Sequence, residues 1–109
     1  MPGTFELKRS GKQFMFNLKS SNGRVILTSE RYKSKASAVN GIKSVKANAK
    51  KVSAYDRRKA RNGKPLFCVV AKNNEVIGRS QMYASSSGVS SGIASVKKNA
   101  SGAKVQDLT

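Results

Sequence analysis

The chain repeats itself. "NGIKSVKANA" occupies residues 40–49, and "SGIASVKKNA" occupies 91–100, fifty-one positions later. Laying residues 24–49 over 75–100 without a gap matches twelve of 26 columns. The identities include Val25/Val76, Ile26/Ile77, Ser29/Ser80, Tyr32/Tyr83, Gly41/Gly92, Ile42/Ile93, Val45/Val96 and Asn48/Asn99. Upstream, Phe16/Phe67 and Asn22/Asn73 keep the same offset. A fixed period of this size marks tandem copies of one supersecondary unit. The units run over about 4–54 and 55–108, with no low-complexity linker at the junction Val52-Ser53-Ala54-Tyr55. A piece of about fifty residues is marginal alone, because too little of its surface leaves water. The two copies are therefore expected to complete one core, making residues 1–109 a single domain.

Each unit reads as three short strands, a helix and a last strand. In the first, "TFELKR" alternates Phe5 and Leu7 with polar neighbours, and "QFMFNLK" alternates Phe14, Phe16 and Leu18. Ser10-Gly11 turns the chain between them. Asn22-Gly23 predicts a two-residue hairpin, since both residues tolerate positive φ, and "RVILTS" returns. Asn73-Asn74 takes the same place in unit two, with Lys72 expected across from Glu75. Helices follow, capped by Ser34 and Ser85. Ala38, Ile42, Val45 and Ala49 form one apolar stripe, repeated by Val89, Ile93, Val96 and Ala100. Lys46, Lys50, Lys97 and Lys98 lie near the helix ends, where cations suit the negative pole. Gly41 and Gly92 break helix propensity on or beside the stripe; the expectation is a close approach that a Cβ would block. Tyr32 and Tyr83 precede the helices and are expected to pack under the helix starts. The last strands are expected over Val52 to about Arg57 and over Lys104 to Leu108, the first running on into unit two.

The resulting fold class is α+β: two tandem β-β-β-α-β repeats forming one antiparallel sheet, two helices on one face, end strands exchanged between repeats. "FNLKSSNGRVILTSERYKS" at 16–34 and "GIKSVKANA" at 41–49, with Phe5, resemble the YegP-like family of small bacterial and archaeal proteins. "EVIGRSQMY" and "GIASVKKNA" repeat the likeness in unit two, which departs from the pattern at Gly78 and in "SSSGVSS". The resemblance implies tandem units in a single sheet with exchanged end strands. It implies no catalytic residues, because the family has no assigned biochemical role.

Charge carries the functional reading. Twenty-two Lys and Arg face five acids, a net charge of +17. Such a field attracts polyanions. The densest basic stretch holds Lys43, Lys46, Lys50, Lys51, Arg57, Arg58, Lys59, Arg61 and Lys64, expected at one end of the sheet. Arg57, Lys59 and Arg61 are expected to share a strand face with Tyr55, an aromatic that could stack on an exposed base. The expected partner is DNA, RNA or another polyanion, bound without sequence specificity. No catalytic residues, metal ligands or cofactor are expected: histidine is absent, the acids are dispersed, and Gly11-Lys12 and Gly63-Lys64 lack Walker spacing. The lone Cys68, inside "PLFCVV", reads as a packed strand cysteine in a reducing, cytoplasmic protein. No run of residues is apolar enough for a membrane, and no signal peptide is expected at the start.

The alternative is a protein partner or a homodimer. On the two-residue hairpin register, Phe16, Leu18, Val25 and Leu27 point under the helices. Met15, Ile26, Leu66, Cys68, Val70 and Ile77 point the other way, which would leave an apolar sheet face open as an interface.

Overall fold

Each repeat opens with a three-stranded meander and closes it with a helix. The structure, a computed structural model, describes residues 3–71 and 75–109. The elements are β1 (Thr4–Ser10), β2 (Gln13–Lys19), β3 (Val25–Ser29), α1 (Lys35–Asn48), β4 (Tyr55–Lys59), β5 (Pro65–Val70), β6 (Val76–Arg79), α2 (Ser86–Ala100) and β7 (Lys104–Asp107). They form one seven-stranded sheet in the order β4-β5-β6-β3-β2-β1-β7. The repeats meet at β3 and β6, which pair antiparallel at Thr28↔Arg79 and Ser29↔Gly78. Strand β7 crosses the molecule to pair with β1, from Thr4↔Lys104 to Leu7↔Asp107. The expected α+β architecture with an exchanged end strand is thus present, with two corrections. The β1–β7 pair is parallel, as a connection through a whole repeat permits. And unit one has no last strand of its own: Val52–Ala54 form a 3-10 turn that feeds straight into β4, the first strand of unit two.

The turns explain a shift of side chains. Gly11 takes φ +63° in the β1–β2 turn. At Asn22-Gly23 the loop has three residues rather than two. Gly23 N–H donates to the Ser20 carbonyl (2.9 Å), Ser20 N–H donates to the Arg24 carbonyl (2.8 Å), and Gly23 has positive φ, +85°. This is a type I turn closed by a glycine bulge. Asn22 contributes its side chain, whose Oδ1 accepts the Arg24 N–H. The same geometry recurs at 60–64, where Gly63 has φ +83° and Asn62 Oδ1 accepts from Lys64. The Asn73-Asn74 turn and the Lys72 partner expected for Glu75 lie outside the described residues. A register shift follows between Leu18 and Lys19: Leu18 faces Leu27, but Lys19 faces Val25. Val25 therefore leaves the core side and is 40% exposed, against expectation.

One main core lies between the sheet and both helices. Phe5, Leu7, Phe16, Leu18, Leu27, Phe67 and Val69 meet the two helix stripes, and all eight stripe residues are buried. Ser34 and Ser85 cap the helices as expected, accepting from Ser37 N–H and Gly88 N–H. Gly41 and Gly92 are indeed sites of close approach, to aromatic rings. A Cβ at Gly41 would lie 2.5 Å from the Tyr32 hydroxyl and 3.0 Å from Phe16 Cε2. Tyr32 stacks on Phe16 with planes 9° apart, and Tyr83 stacks on Phe67 in the same way.

The repeated Ser29 and Ser80 are buried and act as backbone surrogates. Ser29 Oγ accepts Phe16 N–H at 2.8 Å, and Ser80 Oγ accepts Phe67 N–H at 3.0 Å. Each hydroxyl then donates to the next carbonyl, of Glu30 or Gln81. Ser29→Ala or Ser80→Ala strands a buried amide, so each is expected to cost ~1–3 kcal/mol. A urea titration would show it as a lower midpoint at unchanged slope.

Candidate polyanion-binding surface

Strand β4 is an edge strand, and its alternation sorts the basic residues. Tyr55, Arg57 and Lys59 lie opposite Val69, Phe67 and Pro65, on the helix side of the sheet. Asp56 and Arg58 lie opposite Cys68 and Leu66, on the outer side. Arg57 reaches α2: its Nη2 donates to Ser90 Oγ at 2.8 Å and its Nη1 to the Ser86 carbonyl at 3.5 Å. Lys59 beside it is exposed. Arg58 turns away and donates to Asp56 Oδ2 at 2.7 Å.

Tyr55 is half-buried and packed against the core, rather than standing open on the strand face as expected of a stacking platform. Its ring packs edge-on against the buried Phe67, centroids 5.9 Å apart, and its hydroxyl donates to the Ala49 carbonyl at the end of α1. Burial pushes its pKa up to about 12. The folded state thus prefers the neutral phenol. That preference contributes stability below the unfolded value near 10 and is lost as pH rises toward about 12. Burial also raises Tyr32 and Tyr83. Ultraviolet titration is expected to show all three tyrosines ionising late, with unfolding setting in between about pH 10 and 12; normal ionisation near 10 would contradict this packing.

The remaining site residues form a string rather than one cluster. Lys50 and Lys51 are exposed just after α1, at the Tyr55 end of β4. Arg61 and Lys64 are exposed in the β4–β5 turn, past Lys59, which itself lies about 13 Å along the strand from Tyr55. Arg61 therefore does not share the strand face expected of it. Lys43 is exposed on α1, while Lys46 lies with its ammonium 5.8 Å from the Phe5 ring, over the unit-one half of the sheet. One cation was missed: Lys97 on α2 lies 5.6 Å from the Tyr55 ring. Nothing in the sequence signals this, because the neighbourhood exists only once α2 runs alongside β4. Among the described residues the ion pairs are Lys8–Glu6, Lys19–Glu6, Lys35–Asp107 and Arg58–Asp56. Lys43, Lys46, Lys50, Lys51, Arg57, Lys59, Arg61, Lys64 and Lys97 are in none of them.

The outer sheet face is not the open apolar surface expected. Leu66, Cys68 and Val70 are buried in a small cluster with Ala60 and Val76. Ile77 joins the main core, and Met15 and Ile26 are half-buried. On the unit-one half the face is ionic: Glu6 is nearly buried, with Lys19 at 3.0 Å and Lys8 at 3.4 Å, and the Lys19 contact holds its pKa below the ordinary carboxylate value. Among the described residues no helix is long and apolar enough to cross a membrane.

The family described as "Domain of unknown function (DUF1508)" matches the chain twice, at residues 10–56 and 60–107. A UPF0339 protein of Bordetella pertussis is 52% identical over 109 residues, covering 100% of this chain and 98% of its own. UPF0339 protein YegP of Escherichia coli O157:H7 is 50% identical over 110 residues and is covered in full, as is this chain. The solution structure of Escherichia coli YegP, a protein of unknown function, superposes with a TM-score of 0.94 at 48% identity, covering 100% of this chain and 95% of that one. That of a UPF0339 protein from Shewanella oneidensis gives 0.93 at 45% identity, covering 100% and 93%.

Proposed function

This chain belongs to the DUF1508 family, the YegP-like proteins; from its charge and not from that membership, we propose that it is a non-catalytic binder of DNA or RNA phosphates, acting without sequence specificity in the cytoplasm. The observation that carries the reading is the run of unpaired cations from the end of α1 along the helix side of β4. Lys50, Lys51, Lys97, Arg57 and Lys59 follow one another there, with Arg61 and Lys64 beyond. Among the described residues none of them meets a carboxylate within ion-pair distance. A string about the length of strand β4 matches an extended phosphodiester better than a compact anion. With Tyr55 half-buried against Phe67 and bonded to the Ala49 carbonyl, affinity comes from charge and counterion release rather than base stacking.

The test is fluorescence anisotropy with a 20-base-pair duplex and a 20-nucleotide single strand at 50 and 200 mM salt. Four to six phosphate contacts on the duplex give a log–log slope of about −4 to −5, hence a few-hundred-fold loss of affinity or more. Arg57→Glu combined with Lys59→Glu is expected to weaken binding to all sequences alike and to flatten the slope by about 2 or more. Binding that is absent at 50 mM, or unchanged by salt, would remove the proposal.

A further inference from the structure

The two repeats join along a seam that is paired at only two positions, and beside it the sheet opens. After Arg79 the chain stays with β5: Ser80 N–H donates to the Phe67 carbonyl and Tyr83 N–H to the Pro65 carbonyl. It thereby leaves β3. At one end of the seam Glu30 N–H still reaches the Ile77 carbonyl at 3.4 Å. The counterpart fifty-one residues on, Gln81 to Ile26, is not made. A cleft of about 680 Å³ fills the gap, lined by residues 25–31 and 79–81 with Met15.

The lining decides what fits. A groove lying on one face of a sheet touches alternate residues of a strand. This one touches all five residues of β3 in succession, and Glu30 and Arg31 just beyond it, so it follows the strand's edge, where backbone groups point. An open strand edge is a template for another strand. Among the described residues its apolar lining comes from Met15, Val25, Ile26 and Leu27, and its ionic groups are Arg31 and Arg79 against Glu30. The balance is positive, on a chain of net charge +17.

We propose that this seam is a strand-addition site for an extended acidic segment of another protein, which pairs with the edge of β3 over residues 25–27 and places carboxylates against Arg31 and Arg79. This surface is separate from the phosphate-binding string on β4, and the two ligands are not required to compete.

The experiment is selection from a displayed library of random decapeptides on the intact chain, with counter-selection on the variant Arg31→Glu/Arg79→Glu. Both arginines are exposed, so the variant is expected to keep the native amide spectrum; should it unfold, Arg31→Gln carries the same comparison. The expected result is enrichment of acidic peptides with alternating apolar residues. Bound peptide is expected to slow hydrogen exchange of amides within residues 25–27 at least tenfold, and the charge reversal to weaken binding at least tenfold. Failure to enrich any peptide overturns the proposal. So do peptides indifferent to the charge reversal, or amide shifts confined to residues 43–64. Self-association that protects the same amides as protein concentration rises would assign the edge to a second copy and overturn it as well.

Discussion

Alanine at both Gly41 and Gly92 is expected to destabilise the protein by about 1–3 kcal/mol per site, although alanine is the best helix former. Propensity alone argues the other way, since replacing a mid-helix glycine gains about 0.8–1 kcal/mol. Packing decides the sign. A Cβ at Gly41 would lie 2.9 Å from Tyr32 Cζ and 3.0 Å from Phe16 Cε2. At Gly92 it would lie 2.7 Å from Tyr83 Cζ and 2.9 Å from Phe67 Cε1, and closer still to the Tyr83 hydroxyl. The tyrosines cannot simply swing aside, because each stacks on a phenylalanine that is fully buried. The helix must rise off the sheet or the ring pair must slide. Against a total stability of about 5–15 kcal/mol, two such shifts are large. Thermal unfolding of the double variant is expected well below that of the parent. A cycle with Tyr32→Phe tests the cause: removing the hydroxyl should lessen the cost of Gly41→Ala. An alanine variant more stable than the parent would show that the glycines make no room for the rings.

These glycines also mark how far the sequence could be read. Their place on the apolar stripe implied a close approach, and the helices, caps and strands follow from periodicities set by local geometry. What escaped depended on the chain as a whole. Alternation places Val25 inward, but a bulge between β2 and β3 turns it out, and a matching shift between β5 and β6 accompanies the entry of Ile77 into the main core. Both "KVSAYDRRK" and "AKVQDLT" read as trailing strands. Only the second becomes one, because residues 55–59 are already needed as the first strand of unit two. The same constraint half-buries Tyr55, whose ring packs against the core at Phe67. The basic run was visible from composition, but its division between α1, the two sides of β4 and the following turn was not. Lys97 could join it only through the placement of α2. Strand exchange and bulges are tertiary choices, and a 3.6- or 2-residue period carries no record of them.

The exchange sets the last expectation, which is also the largest. Residues 1–51 alone are expected not to fold. In the intact chain α1 packs on β5 and β6 as well as on β1 and β2, while α2 packs on β1, β2 and β3. Cutting the repeats apart therefore uncovers Leu18 and Leu27 below and the inner side of α1 above, removes β6 from β3, and takes β7 from β1. A piece this short buries only about 60% of its unfolded surface even when its core is intact. A slightly longer piece, residues 1–59, has a different fate. Its segment 53–56 is the repeat counterpart of Lys104–Asp107, and with no β5 to hold it, it is free to pair in parallel with β1 of a second copy. Two such pieces can then rebuild the sheet symmetrically, each lending the other an end strand. The expected behaviour is an unfolded monomer at low concentration and a helical dimer at high concentration, with a midpoint temperature that rises with concentration. Sedimentation and circular dichroism across a hundredfold concentration range would resolve the two. A cooperatively folded monomer of either piece would mean that one repeat closes its own core, and the exchanged strand would then be an ornament of the fold rather than its cause.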